Sequence, residues 1–89
     1  MTTTSFEEIH RIMLELIIFL KLKLPEQDIH NIRLLLDNDE YGEAFDVLCT
    51  QTYEYDIKVN KQFYDNIKKI AGMMKLGKES WSYIEEQVI

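Results

Sequence analysis

The side chains with the most chemical potential gather in "DNDEYGEAFDVLCTQTYEYD", residues 37–56. Seven carboxylates stand there without a Lys or Arg: Asp37, Asp39, Glu40, Glu43, Asp46, Glu54 and Asp56. Such a group could act as general acid and base, hold a metal ion, or attract a basic surface. General acid catalysis needs a carboxyl in an apolar pocket that raises its pKa, and a small chain offers little pocket. Metal binding lacks its usual spacing, because His10, His30 and Cys49 are far apart and no H-E-x-x-H occurs. A lone Cys49 on the inner side of a helix reads as a small core hydrophobe. Ser80 and Ser82 have no nearby His as base, and neither a glycine-rich phosphate loop nor a G-x-S-x-G elbow is present. The residues therefore predict a non-enzyme with no cofactor and no metal, and leave attraction of a basic partner as the chemistry.

Ordinary helix electrostatics explains part of the run. Asp37, Asp39, Glu40 and Glu43 fall where a helix N-terminus is expected, and there the macrodipole favours each negative charge by about 0.3 to 1 kcal/mol. Glu54 and Asp56 fall at the opposite end, where it disfavours them. Glu40/Glu43 and Glu43/Asp46 are like charges at i, i+3. Pairing with Lys58 or Lys61 is the simplest rescue for Glu54 and Asp56; otherwise these groups form an acidic interaction face. Tyr53 projects beside Glu54 as a candidate interface anchor, whereas Tyr41, Phe45 and Tyr55 have core spacing. Gly42 is costly inside a helix, which predicts a close approach over it, by the first or second helix or by a partner.

The whole chain carries the same sign. Its 89 residues have a net charge of −6, and a pI near 4.8 argues against direct nucleic-acid binding, which draws its affinity from Lys and Arg. Charge is also sorted. Residues 34–57 have no basic side chain, while residues 58–78 carry six lysines against Asp65. Without arginines, Lys61, Lys68, Lys69 and Lys75 read as a solvated helix face. "IMLELIIFLKLKL" is too short and too charged to cross a bilayer, the N-terminus lacks the basic region of a signal peptide, and a single cysteine suits a reducing compartment. Cytoplasmic location is the expectation.

Every periodic segment has helical spacing, which predicts an all-α fold: a compact bundle of four to five helices in one domain over residues 1–89. The first helix begins at Ser5, in a capping box with Glu8, and runs to about Lys23. Phe6, Ile9, Met13, Leu16, Ile17, Leu20 and Leu24 form its inner stripe. Leu14, Ile18 and Leu22 make a second ridge, a candidate homodimer contact unless neighbouring helices surround this one. Pro25 opens the second helix from its first turn, and Ile29, Ile32, Leu35 and Leu36 face inward until about Asp37. The Asp37-Asn38-Asp39 cluster should cap a third helix running to about Tyr55, with Tyr41, Ala44, Phe45, Leu48, Cys49 and Thr52 inside. Asn60 should cap the fourth, stapled by Val59 and Tyr64, and Gly77 should stop it. A short last helix then offers Trp81, Ile84 and Val88 for docking.

The stretch Glu40-Tyr41-Gly42-x-Ala44, followed by Leu48, Gln51, Tyr53, Glu54 and Asp56, resembles the MafI-type family of bacterial immunity proteins, whose relatives serve contact-dependent growth inhibition systems (CdiI-type). The motif covers about 20 residues, and no motif is matched in the first or last helix. The resemblance implies a small cytoplasmic antitoxin that neutralises the toxin domain of a polymorphic toxin, often a nuclease such as a tRNase. It carries Glu40, Tyr41, Gly42, Ala44, Leu48, Tyr53 and Glu54 as motif positions, with Gly42, Ala44 and Leu48 read as packing residues. Residue chemistry fits beside it, since a nuclease must present cations to phosphate and an acidic surface can occupy that site. Asp37, Asp39, Glu40, Glu43, Asp46, Tyr53, Glu54 and Asp56 are the candidate toxin contacts. The alternative is a homodimeric interaction or regulatory module, joined through Leu14, Ile18 and Leu22, with no toxin partner.

Overall fold

The apolar stripes are realised in four α-helices: α1 (Ser5–Leu20), α2 (Glu26–Asp37), α3 (Tyr41–Glu54) and α4 (Lys61–Met73). Two 3-10 turns follow, Lys78–Ser80 and Ser82–Gln87. The computed structural model describes residues 5–89, with side chains from Phe6 onward, so the capping hydroxyl expected of Ser5 lies outside the described side chains. The all-α expectation holds. A radius of gyration of 12.1 Å is that of one packed domain of this length.

The helices pair through their long contacts. α2 and α3 run antiparallel, because Gln51 near the end of α3 donates to Asp28 in the first turn of α2 at 3.1 Å. α1 and α4 do the same. Lys69 reaches Glu8 at 3.2 Å at one end, and the Phe19 and Phe63 rings lie 4.9 Å apart at the other. α1 also packs on α2 and α3, so its inner stripe becomes the centre of the core. Ile9, Ile12, Met13, Leu16, Ile17 and Leu20 are buried there, against Ile32, Leu36, Phe45, Leu48, Phe63, Ile67 and Ile70. Each such side chain contributes about 1.5 to 3 kcal/mol of transfer free energy.

Helix ends account for most departures from the expected boundaries. α2, α3 and α4 all close with the same hydrogen-bond pair. Asp39 N–H donates to Leu36 and Glu40 N–H to Leu35; Asp56 to Tyr53 and Ile57 to Thr52; Lys75 to Gly72 and Leu76 to Ala71. This six-to-one, five-to-two arrangement needs a left-handed residue just past the helix. Asp39, Asp56 and Lys75 take that place, with φ of 61°, 50° and 57°. Gly77 therefore does not stop α4; Lys75 does. Asp37 and Asn38 likewise finish α2 instead of capping α3, which begins after Glu40 with no side-chain cap. Asn60 does cap α4, accepting from Phe63 N–H at 2.8 Å.

Three smaller corrections follow. α1 ends at Leu20 and continues as a turn through Leu24, whose N–H still bonds Leu20. Pro25 sits one place before α2, at its N-cap. The expected last helix is the pair of 3-10 turns, held by a parallel bridge in which Val59 N–H donates to Gln87 and Ile89 N–H to Val59. Ile84 is buried there, and Trp81 lies beside the Tyr64 ring with its Nε1 buried and unpartnered among the described residues.

Candidate partner-binding face

α3 carries its core residues on one side and its carboxylates on the other. Ala44, Phe45, Leu48, Cys49 and Thr52 are buried. Burial and then the charge of Asp46 push the Cys49 thiol far up from its ordinary value, in keeping with a thiol packed as a core group. Thr52 settles its hydroxyl by donating to the Leu48 carbonyl at 2.7 Å. With that face fixed inward, the 3.6-residue repeat places Glu43, Asp46, Thr50, Tyr53 and Glu54 along one outward stripe, and all five are exposed.

The seven carboxylates divide by their partners. Asp37 pairs with Arg33 one turn back at 3.2 Å, which offsets its position at the C-terminal end of α2, where the dipole disfavours it. Asp39 accepts from the Tyr41 hydroxyl at 3.2 Å. Asp56 accepts from Gln87 Nε2 at 2.8 Å and pairs with Lys58 at 3.2 Å; these two donors hold its carboxyl below the ordinary value. Lys61 instead pairs with Asp65 at 3.1 Å. Glu40, Glu43, Asp46 and Glu54 are left with no ion pair among the described residues. The rescue expected from lysines thus reaches Asp56 and not Glu54.

The aromatic and glycine readings change more. Tyr53 is exposed and meets Tyr83 edge to face, ring centroids 5.1 Å apart at 77°. Together with Thr50 the two rings line an open hollow of about 420 Å³. Tyr55 is half exposed, at 50%, and not core, because α3 ends before it and the periodic argument no longer applies. Tyr41 stacks on Phe6, centroids 5.5 Å apart. Phe6, at 64% exposure, is outside the core it was assigned to, and with Asp39 and Tyr41 it borders a hollow of about 280 Å³ at the α2–α3 corner. Gly42 is exposed with nothing within 4 Å of the place a Cβ would take. Among the described residues no other helix approaches it, so the close approach expected from the first or second helix is withdrawn and only the one by a partner's surface is left, while Ala44 and Leu48 are buried as packing residues.

The ridge on α1 is split. Ile18 is 72% and Leu22 94% exposed, whereas Leu14 is half-buried and packs on the core. α1 is therefore not surrounded on that side. The basic residues of α4 are spent locally or solvated: Lys61 on Asp65, Lys69 on Glu8, and Lys68 over the Tyr64 ring at 5.7 Å. Among the described residues, no cluster of three or more His, Cys, Asp or Glu side chains could hold a metal ion, and no helix is long and apolar enough to cross a membrane.

Thr50 and Tyr83 are the members of this face that sequence reasoning missed. Tyr83 comes from the 3-10 turn some 30 residues further on, and only the tertiary packing of that turn against α3 brings it to Tyr53. Comparison with family models, curated proteins and solved structures finds no match for this chain.

Proposed function

We propose that this chain is an immunity protein that binds the toxin domain of a contact-dependent or polymorphic bacterial toxin and neutralises it in the cytoplasm. The observation that carries the reading is the set of four carboxylates, Glu40, Glu43, Asp46 and Glu54, exposed along α3 and its N-terminus without a compensating cation among the described residues. The dipole favours Glu40 and Glu43 at the N-terminus of α3, but stability does not select Asp46 and Glu54 beyond that turn, since like charges one turn apart are destabilising. A basic partner compensates it and gains electrostatic steering at encounter. The MafI-like stretch lies on the same helix, and the open space above Gly42 leaves room for a close approach.

The partner so described is a toxin with a cationic substrate site, such as a nuclease acting on tRNA. Inhibition by occupation needs no turnover, and no cofactor enters the reading. The test is co-purification of the folded chain with the toxin domain encoded beside it, followed by relief of toxicity in cells. A wild-type chain that neither binds nor protects would overturn the proposal.

A second reading has its own observation. Ile18 on α1 and Leu22 in the turn after it are exposed large apolar side chains, which favours self-association through that ridge in place of, or beside, a toxin contact. Sedimentation of the wild type at micromolar concentration decides it, because a monomer there leaves the ridge without a dimer to explain.

A further inference from the structure

The hollow between α3 and the last 3-10 turn has walls of a different kind from the rest of the acidic face. Tyr53 and Tyr83 supply two aromatic surfaces set at 77°, and Thr50 lines the hollow with them. Asp46 is one helical turn before Thr50 on the same stripe, without an ion pair among the described residues. Burial raises the Tyr83 phenol above its ordinary value, its hydrogen bond with the Thr50 hydroxyl works against that, and the nearby charge of Asp46 adds the least. At about 420 Å³ the space is within the roughly 300 to 1,000 Å³ range of small-ligand clefts.

We propose that this hollow receives an arginine side chain from the protein partner, its guanidinium against the Tyr53 and Tyr83 rings and directed at the Asp46 carboxylate. Guanidinium is planar and carries only donors. It stacks on aromatic faces and forks onto carboxylates; the acceptor offered here is the Asp46 carboxylate, the Thr50 hydroxyl being already bonded to the Tyr83 phenol. A lysine ammonium gains less, because it is more strongly hydrated and has no plane to stack. An apolar side chain would leave Asp46 as uncompensated as before. The proposal rests on α3 being the partner-binding face and names the anchor within it, in the manner of the aromatic and arginine pairs that dominate interfaces.

The experiment needs no toxin: N-acetyl-arginine amide is titrated into the whole chain while the ring signals of Tyr53 and Tyr83 are followed by NMR, with N-acetyl-lysine amide as a parallel arm. The expected result is a saturable shift of both rings by the arginine probe, weakened about threefold or more by Asp46→Asn and by Tyr53→Leu, and retained in Tyr53→Phe, which keeps the ring. Absence of a saturable shift overturns the proposal, as does indifference to Asp46→Asn or a stronger effect of the lysine probe. Ring shifts that follow protein concentration alone would assign the hollow to a second copy of the chain and also overturn it. Failure here leaves the immunity reading to its own test, and failure of toxin binding leaves the probe titration unchanged.

Discussion

Gly42 has no packing neighbour among the described residues in the first turn of α3, so its cost there is conformational. Gly42→Ala should raise stability by about 0.5 kcal/mol, toward the low end of the glycine penalty because the first turn is the least constrained; urea denaturation of the two proteins checks this. Asp56 gives a prediction in pH. Its native pKa is lowered by the Gln87 amide and by Lys58, so the stabilisation it brings is complete above its unfolded value and is lost as pH falls through its native value. Glu8 behaves likewise through Arg11 and Lys69. Asp56→Asn should therefore flatten the acid limb of stability against pH while leaving the neutral-to-alkaline part of the profile parallel to wild type. Tyr53 was legible as an exposed aromatic from its place on the helix. Its neighbour Tyr83 was not, since nothing local to residue 83 encodes the ring opposite it.

At the scale of elements, three helices end on left-handed residues that carry a β-carbon. For an L-residue that conformation costs roughly 1 to 2 kcal/mol, less for Asp, whose short side chain bonds locally. Lys75→Gly should consequently stabilise the fold by about 1 kcal/mol. Asp39→Gly should gain less, and Asp56→Gly nothing, because it also removes the bonds to Gln87 and Lys58. Chemical denaturation ranks the three. The same ends mark where sequence reading succeeded and failed. Asn60 was readable because an Asn followed by an amphipathic run is a local signal, and its bond to Phe63 is local too. Lys75 was not, because glycine is the ordinary occupant of such a position and Gly77 stood two residues away. The inner faces of α2, α3 and α4 were legible from a strict 3.6-residue repeat, with Tyr55 misplaced only by carrying that repeat past the end of α3. On α1, Ile18→Glu should leave a monomeric chain fully folded, since Ile18 has little to lose from the core; circular dichroism with sedimentation separates that result from loss of a dimer.

For the whole molecule, the sorting of charge along the sequence becomes a sorting in space. α2 and α3 form one antiparallel pair with the acidic row on it, and α1 and α4 form the other, where most of the lysines on α4 meet an acid or an aromatic ring. Residues 26–56, which span that pair, carry nine carboxylates against the single basic residue Arg33, and a partner of opposite sign should bind there faster at low salt. The measurement that tests this most directly is the affinity of the proposed toxin partner, at low and at high salt, for the wild-type chain and for the folded triple variant Glu43→Lys, Asp46→Lys, Glu54→Lys. Binding of the wild type that weakens with salt, and binding of the variant that is weaker at low salt and no longer falls as salt rises, is the predicted result. Equal affinity of the two chains at every salt concentration would contradict the account.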